Sequence, residues 1–282
     1  MNVHCRGLFL FPLYLVLAAF LFCTGVRDAG AGETIRINGS GAPLEMMNPF
    51  IEAYSKTKRD VSFEIVKPLG SSGAIKALLA GAIDIAVISR PLRPEEIARG
   101  GMSRPFGETP LAVVTHRDVR LKSISTRELE DIYAGRTKNW PGGETVRVIL
   151  RPREDTDTKI LKSLSPGMAA AVVTAHQRQG MMVALTDPES NEAVSRTPGG
   201  IGTAALAGVL VSGLPLNVVA LNGVRPSRKT LADGSYPFAR EILFATTGKL
   251  PAAASQFLEF VYSKRGRALA GKYGVLVTGS GK

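Results

Sequence analysis

The chain has 282 residues, enough to bury a large core and to form one or two domains. Its 35 Lys and Arg residues outnumber its 24 Asp and Glu residues, and the resulting net charge of +11 favours an anionic partner or anionic surroundings. Both cysteines, Cys5 and Cys23, lie in residues 1–31. The remainder of the chain therefore excludes thiol catalysis and Cys-ligated metals.

Residues 1–31 have the pattern of a cleaved secretory signal peptide. Arg6 precedes an apolar run from Leu8 to Phe22, and Ala29-Gly30-Ala31 offers an A-x-A cleavage site. A retained membrane anchor is the first alternative, but the run is short for a span. A lipoprotein at Cys23 is the second, but Phe22 stands where a small residue is expected. We therefore expect an exported protein without disulfides.

The first predicted unit is a strand, a Gly-rich turn and a helix. The alternation in Thr34-Ile35-Arg36-Ile37 predicts the strand, and Asn38-Gly39-Ser40-Gly41 predicts the turn. Apolar residues at helical spacing follow, and Pro43 suits the first helical turn. Taken alone, the glycines indicate no more than a tight turn.

The second predicted unit repeats this design between Val61 and Leu92. A strand over 61–65 leads into Gly70-Ser71-Ser72-Gly73, then a helix, then a buried strand over 83–88. Unpaired N–H groups at a helix N-terminus, with small residues and Ser hydroxyls, suit a small anion. Taken alone, the pattern favours a cap by Ser71 or Ser72. Two such units predict an α/β fold with a parallel sheet, in which both loops lie at one edge.

A third junction lies between the strand predicted over 146–150 and a helix from Lys159. Arg153 could pair bidentately with an oxyanion, and the hydroxyls of Thr156 and Thr158 could donate to it. Asp155 or Asp157 could cap the helix or orient Arg153. A capped helix with solvated charges explains this segment equally well. Other predicted elements are strands over 109–115, 218–221 and 241–246, helices over 126–133, 166–180, 191–196, 252–262 and 265–273, and turns at 139–143 and 197–202.

Two other function classes find less support in the residues. The histidines after residue 31, His116 and His176, have no catalytic motif around them, and the chain has neither a zinc-binding His pattern nor a P-loop. We therefore expect no enzyme activity, which a turnover assay would test. Only the net charge suggests nucleic acid, because the basic residues are scattered. An exported sensor or adhesion protein with a degenerate site stays open.

Several motifs in order resemble the periplasmic phosphate-binding proteins of ABC transporters. The resemblance covers nearly all of the chain after residue 31. Its motifs are Gly39-Ser40-Gly41-Ala42, the segment from Gly70 to Lys76, Asp84-Ile85-Ala86, Pro91-Leu92, the series Leu129, Ile132, Tyr133, Gly135, Asn139 and Trp140, and Gly199-Gly200-Ile201-Gly202.

The resemblance implies two α/β lobes, each a mixed, mostly parallel sheet flanked by helices, with the ligand cleft at the hinge. The first lobe would combine residues 32–110 with 237–282, and the second would comprise residues 111–236. The hinge strands would lie near Pro110 and Pro237, and ligand binding would close the lobes like a clamp.

The resemblance also implies a set of ligand-binding residues. The expected set is Ser40, Gly41, Ala42, Leu44 (through its backbone N–H), Ser71, Ser72, Gly73, Ser89, Arg153, Asp155, Thr156 and Thr158. Three positions depart from the family. Pro43 replaces a frequent Thr, Ser89-Arg90 stands where the family has an acidic acceptor, and Asp157-Thr158-Lys159 replaces Ser-Gly-Thr. Because a buried carboxylate accepts the proton of monohydrogen phosphate, Ser89 leaves selection against sulfate, molybdate or tungstate open.

The function that the resemblance implies is capture of a tetrahedral oxyanion, with phosphate as the first choice. The protein would be a periplasmic monomer that passes the anion to an inner-membrane ABC permease. It would need neither a cofactor nor a metal, and would not bind nucleic acid. The alternatives are another oxyanion or the degenerate-site sensor or adhesion protein.

Overall fold

The structure is a computed structural model that describes residues 32–279. The predicted signal peptide lies outside these residues. Among the described helices, none has the length and apolar character needed to cross a membrane. The strands of the described residues are β1 (Glu33–Gly39), β2 (Val61–Ile65), β3 (Ile85–Ile88), β4 (Gly101–His116), β5 (Ser123–Ile124), β6 (Arg147–Leu150), β7 (Met182–Val183), β8 (Gly200–Ala205), β9 (Leu216–Leu221), β10 (Ala239–Thr247) and β11 (Leu276–Val277).

The helices connect these strands and cover the sheet. They are α1 (Gly41–Glu45), α2 (Met47–Ser55), α3 (Gly70–Leu79), α4 (Pro94–Ala98), α5 (Thr126–Tyr133), α6 (Thr156–Ser163), α7 (Pro166–Gln177), α8 (Asp187–Arg196), α9 (Leu206–Ser212), α10 (Arg228–Ala232), α11 (Ala252–Tyr262) and α12 (Lys264–Lys272). The predicted mixed α/β class is therefore confirmed.

The strand order is β2-β1-β3-β10-β4-β8-β6-β7. Parallel pairs form toward both ends, where β1 pairs with β2 and β3, and β6 pairs with β7 and β8. The central strands β10 and β4 are antiparallel to their neighbours. Parallel pairing is thus confined to the outer parts of the sheet, because β4 and β10 cross its middle in opposite directions.

Strand β4 is continuous across the middle of the molecule. It pairs with β10 from Gly101 to Pro110 and with β8 from Leu111 to Thr115. The prediction began this strand at Thr109 and was wrong about its start. Pro105 and Gly107 interrupt the expected strand composition, but tertiary pairing overrides it: Gly107 lies against the backbone of β11, where a Cβ would overlap Leu276.

The buried apolar residues form separate clusters on the two sides of the point where β4 changes its partner, between Pro110 and Leu111. We call residues 32–110 and 237–279 the first half, and residues 111–236 the second half. Two apolar clusters draw almost all their members from the first half, including Phe50, Phe106 and Phe257. Two others lie in the second half, around residues such as Trp140 and Ile149. Ala207 of α9 joins a first-half cluster, so α9 packs against α1 where the halves meet.

One of the predicted loops is part of a helix in the structure. Gly70-Ser71-Ser72-Gly73 was predicted as a loop but forms the first turn of α3, with Gly70 in the left-handed region at φ +71°. Neither α1 nor α3 has a side-chain cap. The cap interpretation of Ser71 and Ser72 is therefore wrong, and the serine hydroxyls at these helix starts are engaged elsewhere.

Candidate functional site

The buried guanidinium of Arg240 lies where the two halves meet. Arg240 is the second residue of β10, and its side chain is 1% exposed. Nη2 donates to Oγ of Ser40 at 2.8 Å and lies 3.5 Å from Oγ of Ser89. Nη1 contacts Oδ1 of Asp157 at 2.9 Å and donates to Oδ1 of Asp187. Arg240 therefore contacts two hydroxyl groups of the first half and two carboxylates of the second.

A second buried guanidinium, that of Arg151, lies beside the first. Arg151 follows the last residue of β6 and donates through Nη1 to the carbonyl oxygen of Ala184 at 2.9 Å. Its Nη2 lies 2.9 Å from Oδ2 of Asp155 and 3.5 Å from Oδ2 of Asp187. Asp187 thus lies between both guanidinium groups. We call Arg151, Asp155, Asp157, Asp187 and Arg240 the charged cluster.

Asp187 also reaches the first Gly-rich turn. It is the first residue of α8, and its carboxylate faces the backbone N–H of Ala42, which helps to lower the pKa of Asp187. A Cβ on Gly41 would overlap the Asp187 carboxylate. Glycine at position 41 is therefore required for this close approach between α1 and α8.

The acids of the charged cluster outnumber its bases, three carboxylates to two guanidinium groups. Burial, followed by the carboxylates of Asp187 and Asp155, raises the pKa of Asp157 and outweighs the opposing effect of Arg240. Burial also acts to raise the pKa of Asp187, but Arg240, Arg151 and the Ala42 N–H more than offset it and bring that pKa below its ordinary value. Asp157 thus takes up a proton more readily than Asp187 does.

Glu45, the last residue of α1, adds a fourth acid next to the charged cluster. Its Oε2 is buried without a hydrogen-bond partner and faces Gly208 of α9. Burial, followed by the charge of Asp187, raises the pKa of Glu45 to about 8. Glu45 is therefore largely protonated and neutral at pH 7, which limits the negative charge between the halves.

The first predicted loop contributes directly to the cluster, through Ser40, Gly41 and Ala42. Leu44 does not contribute its N–H, because this group donates to the carbonyl oxygen of Ser40 at 2.9 Å within α1. The Leu44 side chain packs in a first-half apolar cluster. The Leu44 N–H, which was predicted to bind the ligand, is therefore already bonded within the helix.

The second predicted loop reaches the cluster through Ser89. Oγ of Ser71 accepts a hydrogen bond of 3.0 Å from the N–H of Ser89, whose own hydroxyl faces Arg240. Ser72 is exposed and accepts a hydrogen bond from Arg90, which is paired with Glu96 at 2.7 Å. Gly73 lies inside α3, where a Cβ would press against Leu69. Ser71 thus positions Ser89, while Ser72 and Gly73 lie outside the charged cluster.

The third predicted loop is only partly in the cluster. Asp155 caps α6 by accepting from the N–H of Asp157 at 2.9 Å, as the capped-helix alternative predicts. It also pairs with Arg151. Thr156 is half-buried in the first turn, and Oγ1 of Thr158 donates to the carbonyl oxygen of Arg151 at 3.4 Å.

Arg153 lies away from the cluster. It is exposed and donates to the carbonyl oxygen of His176 at 3.4 Å. Strand β6 ends at Leu150, and the turn that follows carries Arg153 outward while Arg151 stays inside. Arg151 therefore occupies the place that the sequence interpretation gave to Arg153.

Sequence reasoning missed Arg151, Asp187 and Arg240 as functional candidates, and it gave Asp157 only a possible role as a helix cap or as a partner that orients Arg153. A lone Arg within the apolar strand pattern from Ala239 to Ala245 was the available signal for Arg240, since an isolated buried charge requires a partner. Asp187 carried only the signal of a helix start, Thr-Asp-Pro-Glu, which the structure shows as a capping box. Nothing local connects it to Arg240, which is 53 residues away.

Comparison with known proteins identifies relatives over most of the chain. Residues 25–265 match a family model described as a PBP superfamily domain. The chain is 25% identical over 275 residues to the phosphate-binding protein PstS of Borreliella burgdorferi, covering 93% of this chain and 98% of that protein. It is 24% identical over 275 residues to PstS of Bacillus subtilis, covering 89% and 88%.

Solved structures share the fold. One, from Clostridium perfringens, was solved with bound phosphate and is provisionally assigned as a phosphate ABC transporter substrate-binding protein. It aligns with a TM-score of 0.71 at 23% identity, covering 87% of this chain and all of that one. An ABC-type phosphate transport receptor from Vibrio cholerae aligns with a TM-score of 0.58 at 19% identity, covering 86% and 99%. These likenesses agree with a two-lobe binding-protein architecture.

Proposed function

Because the chain belongs to the PBP superfamily, we propose that it is an exported binding protein that captures a tetrahedral oxyanion, phosphate in the first place. It passes the anion to an inner-membrane ABC permease and works as a monomer in the periplasm. The support is the full-length similarity to two proteins named for phosphate binding, together with the donors of the candidate site.

The observation that carries the proposal is the convergence of Arg240 with the hydroxyls of Ser40 and Ser89 at the meeting of the two halves. A guanidinium group can bind two oxygens of one oxyanion, and hydroxyls can complete its coordination. Arg151 supplies a second positive charge from the other half. An anion held by donors from both halves stabilises their closed arrangement.

The proposed clamp bends where β4 passes from one half to the other. The change of strand partner falls between Pro110 and Leu111, and the Leu111 N–H bonds to the carbonyl oxygen of Phe238 at 2.9 Å. Strand β4 and the segment that leads into β10 therefore run side by side from one half to the other, close to Pro110 and Pro237. Small backbone rotations there would open the site, and we propose the lobe boundaries at these prolines.

The carboxylates of the charged cluster favour phosphate over sulfate. Monohydrogen phosphate can donate its proton to a carboxylate, whereas sulfate at neutral pH has no proton to donate. Ser89 provides a hydroxyl instead of a carboxylate, but the Asp157 carboxylate contacts the same guanidinium from the second half. Asp157 can therefore take the part for which the family uses an acid near position 89.

Calorimetric titration of the mature, ligand-stripped protein against phosphate, sulfate, molybdate and tungstate tests the proposal. We expect phosphate to bind most tightly. Equal affinity for sulfate would contradict the phosphate assignment, and no heat or thermal shift with any anion would contradict oxyanion binding. We also propose binding without turnover, because His116 and His176 lie outside the charged cluster. Hydrolysis of a phosphate ester by the pure protein would contradict that part.

A further inference from the structure

We propose that the Asp187 carboxylate competes with the oxyanion for the same donors. The carboxylate occupies the anion donors and latches the two halves together until the anion replaces it. This inference rests on the proposed function, because it takes the Arg240 site as the anion site. It assigns to Asp187 both the control of affinity and the closure of the unliganded protein.

The first support is the set of donors around Asp187. Its carboxylate accepts from the Arg240 guanidinium and faces the Ala42 N–H, both in the first half, and lies 3.5 Å from the Arg151 guanidinium in the second. These are charged and backbone donors of the kind that bind an oxyanion. The Asp187 side chain is 3% exposed, so these donors are held away from water.

The second support is that Asp187 joins the halves. It belongs to α8 of the second half, yet two of its three donors belong to α1 and β10 of the first. The absence of a Cβ on Gly41 allows this approach. Breaking these contacts leaves buried charges unpaired, which is unfavourable. Asp187 therefore stabilises the closed arrangement, as a bound anion would.

The third support is that an oxyanion and the Asp187 carboxylate cannot share these donors. Two anions at one buried site repel each other strongly, because the low dielectric constant screens them poorly. Asp157 is a different case. Among the described residues its carboxylate contacts Arg240 at 2.9 Å and Thr203 at 3.3 Å, and Ala42 is not one of its partners. Asp157 can stay as a proton acceptor while Asp187 leaves, so Asp187 is the group that the ligand displaces.

The test compares the D187N and E192Q variants with the wild-type protein by calorimetric titration with phosphate. Both substitutions remove one negative charge from α8, and Glu192 is exposed outside the charged cluster, where it pairs with Arg196. Only D187N removes the charge that faces both Ala42 and Arg240. We expect D187N to lower the Kd for phosphate at least about ten-fold, and E192Q to change it by no more than about three-fold.

A second measurement does not depend on phosphate. Small-angle scattering of ligand-free protein should give a larger radius of gyration for D187N than for the wild type, and phosphate should return D187N to the wild-type value. The K67Q variant is the control, since it removes the exposed 2.8 Å ion pair between Lys67 and Glu189 of the same helix α8. We expect K67Q to keep the wild-type radius. D187S carries the same predictions if D187N does not fold.

The outcomes separate this inference from the proposed function. Phosphate binding by the wild type with unchanged or weaker binding by D187N would overturn the inference and leave the proposed function standing. Equal radii for ligand-free D187N and wild type would overturn the latch. Phosphate binding by D187N alone would support competition by Asp187 but overturn phosphate capture by the wild type. Absence of oxyanion binding in both proteins would overturn the proposed function, and the inference with it.

Discussion

Arg240 and Asp157 form a fully buried ion pair, in which Nη1 and Oδ1 lie 2.9 Å apart and each side chain is 1% exposed. The pair joins β10 of the first half to the first turn of α6 in the second. A buried ion pair of this kind contributes less to stability than its Coulomb energy suggests, because both charges lose their hydration. Removing one partner is nevertheless strongly destabilising, since the other charge stays buried.

The first prediction concerns Arg240. The R240Q variant should lose phosphate binding and be about 3–5 kcal/mol less stable, because Asp157 and Asp187 would lose their shared guanidinium. Urea denaturation gives the free energy of unfolding, and calorimetry gives the affinity.

The R153Q variant is the control for this experiment. Arg153 is exposed and donates to the carbonyl oxygen of His176. R153Q should therefore change the free energy of unfolding by less than about 0.5 kcal/mol and retain phosphate binding. Loss of binding in R153Q, with binding retained in R240Q, would instead support the prediction from sequence that Arg153 supplies the countercharge.

The second prediction is a pH dependence that arises from Glu45. Burial raises its pKa to about 8 in the folded protein, from an ordinary value of 4.5. Between these values the folded state binds more protons than the unfolded state, so its contribution to stability is present below pH 4.5 and is lost as the pH rises through 8. The E45Q variant should flatten the fall in stability over this window by up to about 1.4 kcal/mol per pH unit.

The E52Q variant is the matched control for Glu45. Glu52 is exposed in the next helix and pairs with Lys56, which lowers its pKa out of this window. E52Q should therefore keep the wild-type slope of unfolding free energy between pH 5 and pH 8. A wild-type slope in E45Q as well would show that Glu45 is ionised throughout this range.

The sequence predicts elements whose signals are local. Apolar periodicity in Val61–Ile65, in the helix with Ile75 and Leu78, and in the acidic helix Thr126–Tyr133 is confirmed by β2, α3 and α5. The three strand-loop-helix junctions are also present. In each case the residues that fix the element lie within a few positions of one another, so spacing alone identifies it.

The charged cluster could be predicted only in part, because tertiary contacts build it. Ser40 and Asp155 were selected from their junctions and do lie at the cluster. The choice between Arg151 and Arg153 depends on the turn after Leu150, which side-chain spacing does not fix. The pairing of Asp187 with Arg240 depends on how the halves meet, and no local pattern contains that information.

The third prediction concerns the junction of the two halves. The buried hydroxyl of Tyr236 donates to the carbonyl oxygen of Leu111 at 2.6 Å, beside the proposed hinge. The Y236F variant should be about 1 kcal/mol less stable, because it removes this buried hydrogen bond and keeps the ring. Urea denaturation should show an unchanged m-value.

The Y273F variant makes the same substitution at a half-buried tyrosine. The Tyr273 ring packs against a first-half apolar cluster and lies under Nζ of Lys272, and phenylalanine preserves both contacts. Y273F should change the free energy of unfolding by less than about 0.5 kcal/mol. If Y236F is as stable as Y273F, the bond to Leu111 contributes nothing to the stability of the junction.

The fourth prediction concerns selection between anions at Ser89. The buried Ser89 hydroxyl lies 3.5 Å from Nη2 of Arg240, so the S89D variant brings a carboxylate next to the anion donors. The added charge repels every dianion, but monohydrogen phosphate can donate its proton to the new carboxylate and recover part of the loss. S89D should therefore weaken sulfate binding at least about ten-fold more than phosphate binding, a difference of about 1.4 kcal/mol.

Calorimetric titration of both anions measures this ratio. The control for the added charge is S103D, which places its charge on an exposed residue of β4. Equal losses for both anions in S89D would place Ser89 outside the binding site, because a carboxylate in contact with the ligand must discriminate between an anion that has a proton to donate and one that has none.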